Sequence, residues 1–344
     1  PMIVYWETTL ACGLSCEHCR ATAMPGPQPG QLTTEEGLDL LDQVSEFGDP
    51  LPHIVFTGGD PLRRSDLEFL VHAATERGIG ASLAPAVTPD LTKQRLADLM
   101  AVGIQTISLS LDGSTAIHHD GLRCVPGTFD MTMEAFDWAA ELGLPVQVNT
   151  LVTQQTLADL PAIYGLLTQK TLLRWALFFL ISVGRGEALT EIRSSEAEYL
   201  FHRLFRLAEE APFQIKTTEA THYRRIAGTL MRAEGMSDEE IAHSAVGRGF
   251  GIRDGNGIVF VSHAGDVCPS GFLPKRLGNV RETSLVDLYR DHPTFRALRD
   301  VSSFEGRCGV CEFNEVCGGS RARAFAHTGN PLASDPLCSY RPSV

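Results

Sequence analysis

Three cysteines close to the start of the chain constrain its fold and chemistry more than any other feature. Cys12, Cys16 and Cys19 follow an apolar run in the spacing C-x3-C-x2-C. Thiolates at this spacing can hold three corners of a cubane iron–sulfur cluster, whereas such clusters are normally held by four. The pattern therefore predicts that something else occupies the fourth iron. The alternatives are three buried thiols or a zinc knuckle, for which His18 could supply the fourth ligand.

A glycine-rich turn follows the second apolar run of the chain. Gly58, Gly59, Asp60 and Pro61 come directly after it, and glycines let the backbone approach a ligand closely. With the three-cysteine loop, this turn resembles the radical S-adenosylmethionine (SAM) enzymes, in which the open iron chelates SAM and a Gly-Gly-Glu-Pro stretch holds its amino group. The resemblance implies that the three cysteines hold a SAM-binding [4Fe–4S] cluster. It also implies that residues 58–61 bind SAM mainly through their backbone, so that Asp60 in place of the family's Glu does not disturb this role.

Length, charge and composition allow a large enzyme and exclude some other classes. The formal net charge of −13 argues against a nucleic-acid partner, although a local arginine cluster can still bind an anionic substrate. No apolar stretch approaches the roughly 20 residues of a membrane helix, so we expect no membrane partner. No signal peptide precedes Cys12, and the nine cysteines are spaced for metal rather than for disulfides. We therefore expect a cytoplasmic protein.

Alternating apolar and amphipathic segments predict an α/β fold. Apolar runs at residues 3–6, 53–56, 81–85, 106–111, 146–152 and 175–181 indicate buried strands. Capping-box patterns that begin at Thr33, Ser65 and Ser195 predict helix starts. Six parallel strands with right-handed crossovers predict a partial, TIM-like (β/α)6 barrel with its chemistry at the carboxyl ends of the strands. We assign the barrel to residues 1–190, a helical bridging region to 191–250 and a small α+β domain to 251–344.

Polar residues at the later strand ends are candidate ligand contacts. Ser108, Ser110 and Asp112 alternate along one strand, so they share a face that either binds a ligand inside the barrel or meets solvent outside it. The resemblance to radical SAM enzymes favours SAM contacts for Ser110 and Asp112. It also implies that four further residues bind the cofactor: Arg123 at the SAM carboxylate, Asn149 and Thr150 near the adenine, and His18. Other side chains could equally satisfy the polar groups of Asn149 and Thr150.

The last hundred residues carry a second set of cysteines. Residues 257–261 and 266–268 flank a turn and predict a hairpin. Four thiols then follow in the spacing C-x2-C-x5-C-x20-C, at Cys308, Cys311, Cys317 and Cys338. Four thiolates make a closed site, and the spacing leaves open whether it holds a [4Fe–4S] cluster or a structural zinc ion.

The carboxyl-terminal cysteines resemble the SPASM or twitch extension of radical SAM enzymes, where these positions hold an auxiliary [4Fe–4S] cluster. A full SPASM domain holds two such clusters, but Thr283 and Arg321 stand where the first of them needs cysteines. Only Cys268 remains of that set. We therefore expect one auxiliary cluster, redox-active or structural, and leave Cys268 and Cys124 without a metal.

The reduced cysteine pattern, together with Gly184-Arg185-Gly186 after the sixth strand, resembles the radical SAM proteins of alternative haem and d-type haem biosynthesis. The resemblance implies an oxidoreductase or lyase that cleaves SAM to a 5′-deoxyadenosyl radical and decarboxylates or oxidises side chains of a tetrapyrrole. Arg185 and Arg224 are the predicted contacts to substrate carboxylates. Three further arginines are available, and each could instead form a surface ion pair: Arg225, Arg248 and Arg253.

Two other functions remain open. A maturase of a ribosomally made peptide would share the barrel and the clusters, but many maturases carry a leader-binding domain before the barrel, whereas Cys12 here stands near the start. A catalytically idle metal scaffold would not need both the three-cysteine loop and the glycine turn. For either enzyme, the expected electron donor is a flavodoxin or a ferredoxin.

Overall fold

A ten-stranded sheet organises the computed structural model, which describes residues 1–343. The strands are β1 Ile3–Glu7, β2 His53–Thr57, β3 Ala81–Leu83, β4 Ile104–Ser110, β5 Val146–Val152, β6 Arg174–Phe179, β7 Gln214–Thr218, β8 Ile258–Val261, β9 Asp266–Cys268 and β10 Gly278–Asn279. Their order in the sheet is β10-β9-β8-β1-β2-β3-β4-β5-β6-β7. Neighbours from β8 to β7 pair in parallel, while β9 is antiparallel to both β8 and β10.

Helices follow each of the first seven strands. They are α1 Thr34–Ser45, α2 Leu67–Glu76, α3 Lys93–Ala101, α4 Ala116–Arg123, α5 Thr128–Leu142, α6 Leu160–Leu167, α7 Ser194–Glu210, α8 His222–Ala233, α9 Asp238–His243, α10 Leu285–Asp291, α11 Pro293–Arg299, α12 Gly306–Gly309 and α13 Arg321–Thr328. Because β7 and β10 are the edges of the sheet, the barrel stays open. This architecture confirms the α/β class and the partial barrel. Within residues 1–343, no helix has the length and hydropathy to cross a membrane.

All six strands predicted from the sequence are present, with ends that differ by a few residues. The predicted hairpin is also present as β8 and β9, but β8 pairs with β1 and thereby continues the barrel sheet. The segment 191–250, predicted to be helical, contains α7, α8 and α9 and also β7, which extends the parallel sheet beyond β6. We missed β7 because Gln214 and Lys216 alternate with Ile215 and Thr217, which leaves too weak an apolar signal.

The helix starts were predicted with mixed success. Thr33 caps α1 in a capping box with Glu36, as predicted. The start assigned to Ser65 is wrong: α2 begins at Leu67 after Asp66, whose carboxylate instead accepts hydrogen bonds from Thr34 and Arg64. The start assigned to Ser195 is also misplaced, since α7 begins at Ser194.

The two faces of the barrel strands differ in polarity. On β1, Val4 and Trp6 are fully buried on the outer face, where a side chain in place of Gly37 of α1 would lie 2.9 Å from the Trp6 ring. Burying an apolar side chain of this kind stabilises the fold by about 1.5–3 kcal/mol. The alternate residues Tyr5 and Glu7 face inward, because successive side chains of a strand point to opposite faces. The core therefore lies between strands and helices, and the interior of the barrel is left for polar groups.

Candidate active site

The three cysteines of the amino-terminal loop line one cavity of about 240 Å³ at the carboxyl ends of the strands. The Leu14 amide donates to Cys12 Sγ and the Ala23 amide to Cys19 Sγ, both at 3.4 Å. Such donors stabilise thiolates. Burial raises the pKa of the Cys12 thiol to about 11, so a metal centre is needed to hold it as a thiolate at neutral pH. Three thiols with donors around one cavity fit a cubane with an open iron.

The glycine turn packs directly against the segment that leads into the loop. The Gly59 amide donates to Thr9 O and the Asp60 amide to Ala11 O, each at 2.7 Å. A Cβ atom on Gly59 would lie 2.5 Å from Ala11 O, so only glycine allows this approach. Gly58 and Gly59 line the cavity beside the cysteines.

Asp60 and Pro61 shape the turn without lining the cavity. The Asp60 carboxylate accepts hydrogen bonds from the Leu62 amide at 3.2 Å and from the Thr88 hydroxyl at 3.1 Å, and burial raises its pKa to about 6. Pro61 is buried and opens a short 3-10 turn. Of residues 58–61, the two glycines line the cavity, while Asp60 and Pro61 hold the turn in place.

Asp112 and Arg123 form a buried ion pair beneath the loop. Asp112 follows β4 and also accepts from the Leu151 amide at 2.7 Å, while Arg123 ends α4 and donates from Nη1 to Cys16 Sγ at 3.7 Å. Burial opposes ionisation of Asp112, but the adjacent Arg123 and His18 outweigh it and lower its pKa. Both residues line the cavity as predicted, and their first partners are each other and the loop.

The other predicted SAM contacts on the strands divide between the two faces. Ser108, Ser110 and Asn149 line the cavity, which selects the inward-facing alternative for β4. The assignment of Thr150 is wrong. Its side chain lies on the opposite face of β5, donates to Leu111 O at 2.7 Å and accepts from Trp175 Nε1 at 2.8 Å. Adjacent strand residues alternate in direction, so Asn149 and Thr150 could not both have faced the cavity.

Three polar side chains in the cavity wall have buried atoms without a hydrogen-bond partner. They are His18, at Nδ1, Arg123, at Nε, and Arg185, at Nε and Nη2. Burial and Arg123 lower the pKa of His18 to about 4, so its imidazole is neutral. The Arg185 amide donates to Cys19 O at 3.1 Å, which places this residue beside the loop. Buried donors without partners are costly, and a bound ligand with acceptor oxygens would satisfy them.

Sequence reasoning missed an apolar part of the cavity wall. Phe178 of β6 and Phe272 both line it, with ring centroids 6.3 Å apart. Phe178 was recognisable only as part of a buried strand, and Phe272 lies in a loop with no periodic signal. Aromatic rings of this kind offer a flat surface to a planar ligand.

The remaining predicted substrate arginines lie outside this cavity. Arg224 lines a separate cavity at the amino ends of β6 and β7, together with Arg248. Arg225 forms an ion pair with Glu198 at 2.8 Å, which is the alternative to a substrate contact considered above. Arg253 is buried and donates to Gly251 O at 3.0 Å.

All four carboxyl-terminal cysteines line one small cavity of about 30 Å³. Cys317 Sγ accepts from the Gly319 amide at 3.4 Å, and Cys308 Sγ accepts from Arg321 Nη2 at 3.5 Å. Cys268 does not line this cavity and pairs with Phe260 across the hairpin, while Cys124 is exposed at the end of α4. Within residues 1–343, no three His, Cys, Asp or Glu side chains are arranged to hold a single metal ion.

Comparison with known proteins finds relatives that match nearly the whole chain. The family model of the radical SAM superfamily matches residues 6–167 of this chain. The AdoMet-dependent heme synthase of Methanosarcina barkeri is 34% identical over 99% of this chain and 97% of its own length. The protein of the same name from Nitratidesulfovibrio vulgaris is 36% identical over 99% and 92%. The pre-heme d1 synthase of Dinoroseobacter shibae is 28% identical over 98% and 85%.

A solved structure has the same fold. Streptococcus suis SuiB bound to the precursor peptide SuiA superposes with a TM-score of 0.74 over 99% of this chain and 76% of SuiB, at 17% sequence identity. The superfamily match implies an enzyme that binds SAM and a [4Fe–4S] cluster, and Cys12, Cys16 and Cys19 line one cavity within the matched residues. This chain belongs to the radical SAM superfamily and, within it, to the family of the AdoMet-dependent heme synthases.

Proposed function

We propose that this protein decarboxylates or oxidises carboxylate side chains of an iron tetrapyrrole on a route to a haem-type cofactor. SAM bound at the cluster supplies a 5′-deoxyadenosyl radical that abstracts hydrogen from the substrate. The relatives named AdoMet-dependent heme synthase support this substrate class, since they are 34% and 36% identical over nearly the whole chain.

The observation that most supports the proposal is that Arg185 has guanidinium nitrogens without a hydrogen-bond partner. Its guanidinium lines the cavity of the three cysteines, and two of its nitrogens have no partner. Leaving buried guanidinium nitrogens without an acceptor is costly, and a carboxylate is the ligand group that pairs with a guanidinium through two parallel hydrogen bonds. The rings of Phe178 and Phe272 in the same wall suit a flat macrocycle.

The chain's own residues hold and orient the reacting groups. Cys12, Cys16 and Cys19 would ligate three irons and leave the fourth for SAM. The Asp112–Arg123 pair keeps Cys16 in position through the Arg123 hydrogen bond. The backbone of Gly58 and Gly59 would lie against SAM, because neither residue has a side chain between its backbone and the cavity.

The carboxyl-terminal cysteines would hold one auxiliary [4Fe–4S] cluster. Support comes from the single cavity that all four line and from the donors to two of the sulfurs, the Gly319 amide and the Arg321 guanidinium. If a carboxylate side chain becomes an alkene, the substrate radical has to lose carbon dioxide and one electron, and such a cluster would supply an electron acceptor. A flavodoxin or a ferredoxin would reduce the SAM-binding cluster.

A peptide substrate is the second candidate. The fold neighbour SuiB was solved with a precursor peptide, and its 17% identity supports the fold alone. The distinction is therefore experimental. Measured affinity for a carboxylate-rich tetrapyrrole that is no better than for a neutral control would favour the peptide.

Anaerobic titration with iron coproporphyrin III tests the proposal. We expect its absorption spectrum to shift on binding and its affinity to fall by about tenfold or more in Arg185→Ala, the loss of a charge-assisted pair. Arg203→Ala is the matched control, because Arg203 is exposed on α7 and bonds only the Tyr199 hydroxyl. The tetramethyl ester of the same porphyrin is the neutral control. Equal affinity for the acid and the ester contradicts the proposed substrate.

A further inference from the structure

A second cavity in the barrel is lined by basic side chains. It has a volume of about 270 Å³ and lies at the amino ends of β6 and β7, whereas the three-cysteine loop lies at the carboxyl ends. Four cationic residues line it: Arg174, Lys216, Arg224 and Arg248. No aspartate or glutamate is part of its wall. We call it the basic cavity.

None of the four cations forms an ion pair with another residue of the described range 1–343. Arg174 donates to the side-chain oxygens of Gln147 at 3.3 Å and Gln214 at 3.0 Å, which are neutral. Arg224 and Arg248 donate to backbone carbonyls. The chain has 42 acidic and 29 basic residues, so acidic partners are abundant elsewhere. A cavity that gathers four cations without one of them is built for an anion.

The four charges also act on one another. Burial lowers the pKa of Lys216 to about 8, and Arg174 and Arg224 contribute to the shift. Lys216 is solvent-accessible where it lines the cavity, which is open to solvent on this side. Burial likewise lowers the pKa of Arg174, with a contribution from Arg248. Bringing an anion into the cavity would relieve this repulsion.

The basic cavity and the cysteine cavity share the inner face of β6. Arg174 and Phe178 are four residues apart on that strand, so their side chains point to the same face about 13 Å apart. The charge of Arg174 also acts on Tyr5 of β1, across the barrel. Burial raises the pKa of Tyr5, and the positive charge of Arg174 partly offsets this rise. A flat molecule with acid groups on opposite edges would have to span this separation, which is comparable with the width of a tetrapyrrole.

We infer that Arg174, Lys216, Arg224 and Arg248 bind the carboxylates of the substrate that do not react, while the reacting side chain lies at the three-cysteine loop. The inference rests on the proposed tetrapyrrole function and narrows its substrate to a polycarboxylate. It requires acid groups on at least two edges of the macrocycle. The four residues would bind these carboxylates through charge-assisted hydrogen bonds, and Arg174 would form a bidentate pair with one carboxylate.

Affinity for iron coproporphyrin III in charge-removing and charge-retaining variants tests the inference. Under anaerobic conditions, Arg174→Gln and Lys216→Gln should each weaken binding by about tenfold and reduce its dependence on salt. Arg174→Lys and Lys216→Arg keep the charge and should retain more of the affinity. Arg203→Gln removes one charge outside the cavity and should leave the affinity unchanged.

The outcomes separate the two proposals. Failure of the wild-type protein to bind the porphyrin overturns the proposed function and the inference with it. Binding by the wild type with equal affinity in Arg174→Gln and Lys216→Gln overturns only the inference. Thermal unfolding of each variant identifies any that has lost its fold. If the charge-removing variants do not fold, the charge-retaining variants are compared with the wild type. Loss of the salt dependence of binding in the charge-retaining variants then contradicts the inference.

Discussion

Arg123 ties the carboxylate of Asp112 to the cluster loop. One nitrogen of its guanidinium pairs with Asp112, and another donates to Cys16 Sγ at 3.7 Å. The end of β4 and the end of α4 thereby hold the middle cysteine of the loop. Since both charged groups are buried, the pair is sensitive to the loss of either partner.

Asp112→Asn should therefore destabilise the fold and the cluster. The amide oxygen can still accept from the Leu151 amide, but Arg123 becomes a buried cation without an anion. We expect the free energy of unfolding to fall by about 3 kcal/mol and iron content to fall with it, measured by chemical denaturation and iron analysis. Asp137→Asn is the control, because Asp137 pairs with Lys170 at the surface and should lose less than about 1 kcal/mol. Equal effects of the two substitutions would show that the buried pair is unimportant.

A methyl group at Gly59 should disrupt the contact between the glycine turn and the loop. The added Cβ would lie 2.5 Å from Ala11 O, so the backbone must move, and we expect Gly59→Ala to lose about 2–3 kcal/mol of stability. Gly121→Ala is the matched control, because a Cβ there has no neighbour within 4 Å and α4 should gain about 1 kcal/mol. Denaturant unfolding of both variants checks this, and a stable Gly59→Ala protein would contradict it.

His119 should make the protein sensitive to mild acid. The buried Nδ1 atom of His119 accepts from the Asp112 amide at 3.0 Å, which only the neutral ring can do. Burial and Arg123 lower its pKa to about 4, against about 6.5 in the unfolded chain. A lowered pKa of this kind gives stability that is complete above pH 6.5 and is lost as the pH falls toward 4.

His119→Asn keeps an acceptor oxygen without a titrating ring. The difference in unfolding free energy between wild type and variant should shrink by up to about 3 kcal/mol from pH 7 to pH 4, as measured by denaturation at a series of pH values. Parallel curves for the two proteins over this range would refute the assignment.

The two cysteine sets should hold iron independently. We expect about eight irons per chain after anaerobic reconstitution, from two cubanes, and about four after Cys12, Cys16 and Cys19 are changed together to Ala. Cys338→Ala should also lower iron and solubility, because a closed site loses its metal when one ligand is removed. Cys268→Ala should lose none, since this thiol packs in β9 away from the cavity. Zinc in the carboxyl-terminal site, or iron loss in Cys268→Ala with Cys338→Ala unaffected, would contradict the ligand set.

Much of this molecule could be predicted from its sequence. Strands such as Val146–Val152 alternate apolar residues with polar ones over much of their length, because one face packs under helices while the other faces the polar interior of the barrel. The three-cysteine loop and the glycine turn were recognisable because their chemistry depends on residue types at short, fixed spacing. The structure brings Cys12, Cys16, Cys19, Gly58 and Gly59 to one cavity.

Features that depend on side-chain direction or on distant segments could not be predicted in this way. Thr150 was assigned to the cofactor although its neighbour Asn149 is the residue that faces the cavity. The basic cavity joins residues from β6, β7, α8 and the turn at Arg248, which are distant in sequence and which only the fold brings together. Arg224 was therefore recognised as a candidate anion contact, but its separation from the three-cysteine loop was not.

Anaerobic turnover followed by mass spectrometry tests the central claim most directly. The reconstituted protein is incubated with SAM, a reductant and iron coproporphyrin III, and both 5′-deoxyadenosine and the tetrapyrrole are quantified. The account predicts 5′-deoxyadenosine in a fixed ratio to a tetrapyrrole that has lost or oxidised carboxylate side chains, and neither product when Cys12, Cys16 and Cys19 are changed to Ala. Formation of 5′-deoxyadenosine with the tetrapyrrole mass unchanged would contradict it.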